Sequence, residues 1–511
     1  MRFRGSLRMN LAALVASAGL AGAATAQAEA PGAYTTKGAW SFVSAPGLHP
    51  PKLKARGSVQ SKKLAPGLFL LDSFPNEAVS GPMTGQGGPL MLDNKLQPVW
   101  FAPVATNLVS GDLQQETYNG QPVLVYWQGL VSRTGATTKG EVLVVDQHYR
   151  TVARLKAKAP WVVSLHDTAI DGKTIWVTVY RNVSGQNLRP YHGAARGAVL
   201  DAGVQQYDLK TGKLLFTWDA LNPGHKANIS LSDSRQAPPP TSSDAWDAYH
   251  VNTVQTLSTG QILVSMRNTW AAYLIDPKTR HIVWTLGGRR SSFKSASNAR
   301  FAWQHDVHLE PSGRVWLFND NCCEVRPNHR LGPDSGPSAG MVLKLDLSAH
   351  KVSLVAAYRH RPDLFTAFLG SMQLLPNGNA VVGWGSLPYF SELDASGHQL
   401  LDVPFPGKDQ SYRARFSSNW VGLPSGPPAA VAHNKAGKTT VYVSWNGATE
   451  VAKWEVLVGP NATSLAQAVT KPRSGFETSI TLSGTAKSVL EVVALDSQGR
   501  PLGTSRPFSP R

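Results

Sequence analysis

The stretch that decides the fold runs Thr253-Val-Gln-Thr-Leu-Ser-Thr-Gly260-Gln-Ile-Leu-Val-Ser265 and, after a short gap, Ala272-Tyr-Leu-Ile-Asp276-Pro-Lys-Thr-Arg-His-Ile-Val-Trp284. Four apolar runs of strand length are separated by two different corners. Gly260 supplies the positive φ of the first, and at the second Asp276 accepts hydrogen bonds from the backbone N–H groups just ahead of it. Two hairpins in succession make a four-stranded antiparallel sheet.

The aspartate corner recurs six times, in Pro-Leu-Met-Leu-Asp93, Val-Leu-Val-Val-Asp146, Val-Gln-Gln-Tyr-Asp208, Ala-Tyr-Leu-Ile-Asp276, Val-Leu-Lys-Leu-Asp346 and Phe-Ser-Glu-Leu-Asp394. The glycine corner recurs at Gly313 and Gly378, with a shorter version at Gly172. Successive aspartates stand 48 to 70 residues apart, which fits four strands per repeat with loop insertions. With 46 Gly and 35 Pro in 511 residues there is little room for long helices. The expectation is an all-β chain whose residues 64–425 form a six-bladed β-propeller. An open β-sandwich assembly is the alternative use of the same strands.

Outside the repeats the chain changes character. Residues 438–511 carry short strands such as Thr439-Thr-Val-Tyr-Val-Ser-Trp445 and Val489-Leu-Glu-Val-Val-Ala494, and read as a small fibronectin- or Ig-like β-sandwich. Residues 29–63, with Lys52, Lys54, Arg56, Lys62 and Lys63 among Pro and Gly, read as a basic extended arm. Residues 1–28 have the form of a Sec-type signal peptide: Arg2, Arg4 and Arg8, an apolar run Leu11–Ala24, then Ala26-Gln27-Ala28. The expected location is extracellular, cell-surface or periplasmic. The apolar run is too short for a membrane span, and no later one is long enough.

The formal net charge is +17, yet only 16% of residues are charged, which describes a folded basic protein. Its basic residues are dispersed and no groove-reading motif appears, so nucleic acid is not an expected partner. The only two cysteines, Cys322 and Cys323, are neighbours; that excludes a disulfide framework and leaves a vicinal disulfide or two thiols open. No cofactor motif and no metal-ligand spacing is present. The oligomeric state is not set by the sequence.

Chemistry is sought where the inner strands of the repeats begin, because those positions converge in space. Three repeats place a histidine there: His166 in Trp161-Val-Val-Ser-Leu-His166-Asp167, His250 in Asp247-Ala-Tyr-His250-Val-Asn252, and His305 in Phe301-Ala-Trp-Gln304-His305-Asp306-Val-His308. His308 falls out of alternation with His305 and is expected on the other face. Arg267, Arg326, Arg330, Arg289 and Arg290 are candidate forks for a small oxyanion.

Asp247-Ala-Tyr-His250-Val-Asn252-Thr-Val, Trp284-Thr-Leu-Gly287-Gly288-Arg, Phe301-Ala-Trp-Gln304-His305-Asp306, Leu375-Pro-Asn-Gly378-Asn379-Ala-Val-Val-Gly-Trp384-Gly and Gln410-Ser-Tyr-Arg413 together resemble the arylsulfotransferase family, the exported type that needs no nucleotide sulfate donor. Val441-Tyr-Val-Ser-Trp445-Asn-Gly-Ala-Thr-Glu450 extends the similarity to an actinobacterial and fungal branch. The resemblance implies sulfuryl transfer from an aryl sulfate to a phenol in the central channel of a propeller, through a sulfohistidine. It implies His250 and His305 as acid, base or sulfate ligands, Arg326 as the arginine on the sulfuryl group, and Arg267, Asn252, Asn319 and His166 as further substrate-binding candidates. The nucleophilic histidine it implies would stand near Leu369-Gly370-Ser371-Met372, where there is none; His360, ten residues before that stretch, is the substitute if its loop folds inward. A propeller that binds a sulfated or anionic ligand without turnover is the alternative reading. A quinoprotein dehydrogenase, suggested by the vicinal cysteines, would need eight blades.

Overall fold

In the computed structural model, residues 34–76, 81–131, 137–239, 244–321, 336–486 and 488–511 are described. The segment 1–28 and the residues Cys322, Cys323, Arg326 and Arg330 lie outside them. The chain is all-β, and the helical pieces among the described residues are three-residue 3-10 turns.

Six antiparallel sheets follow one another along the chain. The first holds Leu68–Pro75, Gly88–Asp93 and Pro98–Phe101. A distant strand, Ala414–Ser417, completes it by pairing with Leu68–Leu71. The second to sixth sheets begin on the inner strands Val109–Tyr118, Val162–Asp171, Val251–Thr256, His305–Leu309 and Ser371–Leu374, and each continues through three more strands in chain order.

The six aspartates do what local chemistry requires of them. Each accepts backbone N–H groups two to four residues ahead: Lys95 and Gln97 on Asp93, His148 and Arg150 on Asp146, Thr211 on Asp208, Lys278 on Asp276, Ser348 and Ala349 on Asp346, Ser396 and His398 on Asp394.

The strands are apolar on both faces because each sheet is covered on both sides. Val123, Val125 and Trp127 of the second sheet pack with Val163 and Val177 of the third, whereas Leu124 and Tyr126 pack with Met91 and Trp100 of the first. The same alternation joins third to fourth, fourth to fifth, fifth to sixth, and sixth back to first, so that the clusters close a circuit.

Residues 429–511 form two further sheets, one of Ala429–Lys435, Lys438–Ser444 and Glu477–Leu482, the other of Lys453–Gly459, Ala466–Pro472, Val489–Leu495 and Pro501–Thr504. Val441, Trp454, Val456, Ile480 and Val492 share one core between them. The arm ties these parts together. Tyr34–Thr35 pairs with Met83–Thr84, Ser44 donates its backbone N–H and hydroxyl to Glu477, and the backbone N–H groups of Arg56 and Gln60 donate to the carbonyls of Asp402 and Leu400 at the outer edge of the sixth sheet.

Candidate functional site

Four of the inner strands carry a register break at the same level, between Gly111 and Gln114, Val163 and Thr168, Val251 and Thr253, and His305 and His308. A bulge re-aims side chains that simple alternation would send to opposite faces. Here it lets the neighbours His166-Asp167 and His305-Asp306 turn to two different sets of partners at the middle of the molecule.

His166, His250 and His305 come together. The His166 and His250 rings stand edge to face with centroids 4.8 Å apart, and Tyr412 connects His166 to His305 with centroid separations of 5.6 and 6.4 Å. Two of the three have a carboxylate on Nδ1. Nδ1 of His250 bonds Asp247, three residues back, where His250 itself holds φ 57°. Nδ1 of His305 lies 2.7 Å from Asp320 Oδ2 on the adjoining strand's end. Where Nδ1 donates to the ionised carboxylate, the tautomer is fixed and Nε2 is left as the bare nitrogen; burial pushes Asp320 well above the ordinary carboxylate range, against the pull of Arg267. In His305 that Nε2 is buried and has no hydrogen-bond partner among the described residues. His166 bonds Ser164 Oγ through Nδ1 at 2.5 Å.

Exposure separates the two carboxylate-backed rings. The His250 and Asp247 side chains are 11% and 14% accessible, those of His305 and Asp320 0%. The first pair therefore lies nearer solvent than the second. Burial first, then the positive charge of Arg267 and the neighbouring imidazoles, holds His305 well below the ordinary imidazole range; burial, His250, Arg413 and Arg267 do the same to His166. Both rings are neutral bases in the folded chain.

Arg267 belongs to this group. It is placed by the 3-10 turn Arg267–Thr269 at the end of an inner hairpin, and its guanidinium lies 4.6 Å over the Trp303 ring. It donates to Asn268 Oδ1 and to the carbonyl of Ala367, both at 2.8 Å, while its Nε is buried without a partner among the described residues. Its charge faces Asp320 and Asp247.

Other candidates are placed elsewhere. Asn252 donates from its amide to the Gln304 carbonyl at 2.7 Å, and Asn319 accepts the Ala302 N–H while its amide faces Met341 Sδ, so both side chains are engaged within the fold. His360 does not fold inward to the three histidines. Its Nδ1 bonds the Pro362 carbonyl at 2.7 Å and its Nε2 bonds Asp402 at 3.0 Å, which fills both nitrogens. Ser371 is consumed as well, its hydroxyl bonding the Ala414 backbone in both directions. His308 stacks on Trp316 with centroids 4.0 Å apart, on the strand opposite, and Arg290 makes a surface ion pair with Asp233.

The carboxylates that orient the histidines escaped the sequence reading. Asp247 stands inside the motif that holds His250, so its spacing of three was a usable signal. Asp320 reaches His305 across a strand pair, and nothing local marks it. Among the described residues no group of three or more His, Cys, Asp or Glu is arranged to hold a metal ion.

The profile described as Arylsulfotransferase (ASST) matches residues 114–405, from the second sheet through the sixth, and the chain belongs to the arylsulfotransferase family. No curated protein matches the chain. Among solved structures, a Bacteroides caccae protein of unknown function is 10% identical over 70% of this chain and 100% of its own, with a TM-score of 0.39. A Lactobacillus plantarum protein is 10% identical over 69% and 99%, TM-score 0.35, and the Kuenenia stuttgartiensis hydrazine synthase 12% identical over 61% and 72%, TM-score 0.33. Family membership therefore rests on the sequence match, and with it an arylsulfotransferase-type function on small aryl substrates. Among the described residues no helix is long and apolar enough to cross a membrane.

Proposed function

We propose that the six sheets are the blades of a six-bladed β-propeller with a small C-terminal β-sandwich, exported by its N-terminal segment, and that its hub moves a sulfuryl group from an aryl sulfate to a phenol. The observation that carries the reading is the pairing of His305 with Asp320, which leaves one buried imidazole nitrogen without a partner among the described residues, beside an arginine and a second carboxylate-backed histidine.

In the first half-reaction Nε2 of His305 attacks sulfur as the S–O bond to the aryl group breaks. His250 acts from its doubly protonated form: with Nδ1–H held by Asp247 it gives the second proton, on Nε2, to the departing phenolate oxygen and is left as the neutral ring. In the second half the acceptor phenol returns a proton to His250 and its oxygen attacks sulfur, breaking the N–S bond and restoring His305. Arg267 faces the three sulfuryl oxygens, whose charge changes little between the two steps. As in phosphoryl transfer, positioning and charge stabilisation supply most of the acceleration. The order of exposure suits these roles: the acid, nearer solvent, meets the aryl leaving group, and the nucleophile is the more deeply buried ring.

The test is release of a chromogenic phenol from its sulfate ester by the full chain, with and without a second phenol. Wild type is expected to turn over faster with the acceptor present, and His305→Ala to fall by on the order of 10³-fold or more. Absence of phenol release across a panel of aryl sulfates would sink the enzymatic reading in favour of ligand binding alone.

A further inference from the structure

A second charged cluster lies against the histidines, and the proposed chemistry does not use it. Arg413 and Arg415 stand two residues apart on the segment that closes the first sheet, 1% and 6% exposed. Nη1 of Arg413 donates to Asp112 and to Asp167, both at 2.9 Å, and Nη2 donates to the Asn252 carbonyl at 2.9 Å. Asp306 lies 3.8 Å from the same guanidinium. Arg415 donates from Nη1 to Asp306 at 3.0 Å, and its Nη2 lies 2.7 Å from the other carboxylate oxygen as an ion pair without hydrogen-bond geometry. One strand from the end of the repeats thus holds residues of the second, third, fourth and fifth sheets.

Two of the three gripped aspartates follow a site histidine directly: Asp167 after His166 and Asp306 after His305. Each also accepts a backbone N–H from the next sheet, Asp167 from Val254 and Asp306 from Met372. Asp306 holds φ 56° and Asp112 φ 59°, a region that non-glycine residues keep only when the surroundings fix it. A planar guanidinium offers that fixation, because its donors diverge at set angles toward several carboxylates at once; an ammonium does not.

We propose that Arg413 and Arg415 are positioning residues for His166 and His305: by gripping the aspartate next to each histidine, they fix the bulged backbone that aims both imidazoles at one centre. The kinetic consequence rests on the function proposed above. The geometric claim concerns the rings themselves and is measurable without turnover.

The arrangement also sets the local field. His166 is faced by Ser164, His250, Tyr180, Tyr412, Arg413 and Arg267, and His305 by Asp320, Arg267, His250, His166, Tyr412 and Arg413. A cation behind a ring disfavours its protonation, so removing Arg413 raises the pH at which both rings take up a proton. Removing Arg415 leaves Asp306, the neighbour of His305 and not of His166, without its ion-pair partner and acts on His305 alone.

The experiment is a pH titration of imidazole ¹⁵N signals in the full-length protein, for wild type, Arg413→Gln and Arg415→Gln, the latter serving where Arg413→Gln fails to fold. The protonation midpoints of both rings are expected to rise by about half a pH unit or more in Arg413→Gln. In Arg415→Gln the His305 midpoint rises and that of His166 stays. Unchanged midpoints in a folded variant, or equal shifts of both rings in Arg415→Gln, overturn the proposal, the second because it marks a general loosening. If wild type releases no phenol, the proposed function fails while the midpoints still decide this inference. If His305→Ala is inactive but the arginine variants keep wild-type kcat and midpoints, the function stands and the inference falls.

Discussion

Two of the fully buried histidines among the described residues are paired with aspartates, and they differ at one nitrogen. His305 bonds Asp320 at 2.7 Å and its other nitrogen has no partner among the described residues; His360 bonds Asp402 at 3.0 Å and its other nitrogen bonds the Pro362 carbonyl. Asp402 in turn accepts Ser391 Oγ at 2.9 Å and Arg56 from the arm at 3.0 Å. The second pair is closed: every strong donor and acceptor has an answer, and the result is a pin that fastens arm, loop and sixth sheet. The first pair is open at one nitrogen. An unanswered buried nitrogen is costly to keep, and its place beside Arg267 and two other histidines is the ground for the role proposed for His305.

Breaking each pair in the same way gives the largest contrast. Asp320→Asn is expected to lower kcat by on the order of 10²-fold or more, because the amide no longer enforces the Nδ1–H tautomer that frees Nε2. Asp402→Asn should leave kcat per folded molecule within about twofold. Phenol release normalised to the folded fraction measures both, and equal losses would erase the distinction.

Next in size is the stability side. His360→Ala leaves Asp402 short of a buried partner and is expected to cost about 2–3 kcal/mol in denaturant unfolding, with activity retained below the new midpoint. Loss of activity without loss of stability would return His360 to the site.

The pH dependence sharpens the open pair. His305 must be neutral to attack sulfur, and its folded environment holds it well below the usual imidazole value of 6.5, so the acid limb of kcat/KM belongs below that pH. The same depression means that the unfolded chain binds more protons than the folded one below 6.5, so this residue's contribution to stability falls as pH drops through that value. An acid limb at or above 6.5 would contradict the buried neutral base.

The smallest expected effect comes from the rim of the closed pair. The Arg56 side chain is 48% exposed, so Arg56→Ala should cost no more than about 1 kcal/mol and leave turnover untouched. A larger loss would show that the arm governs closure of the sheets.

Fold and site were legible to different degrees. The aspartate corners were readable because their chemistry is local: the acceptor and its N–H donors lie within four residues. The strand Ala414–Ser417 was not, because its four residues include an arginine that is buried in an ion cluster, and its partners in the first sheet lie more than 300 residues away. His166, His250 and His305 stood out by recurring at one place in the repeat. The amides of Asn252 and Asn319 looked available because their consumption by the backbone is a tertiary fact. His360 looked like His305 for the same reason, since no sequence pattern tells a filled nitrogen from an empty one. The gap near Leu369 has a steric side: Gly370, in that stretch, sits at φ 103° with Phe318 atoms 2.4 Å from where a Cβ would be, so position 370 itself has no room for a side chain.

The central claim is that sulfur is handed to an imidazole in the hub. Rapid quenching of the enzyme with an aryl sulfate and no acceptor, followed by peptide mapping, tests it most directly. The account predicts a sulfuryl group on the peptide that contains His305, absent from Asp320→Asn and discharged by added phenol. A sulfuryl group on the His360 peptide, or phenol release with none on any histidine, would contradict it.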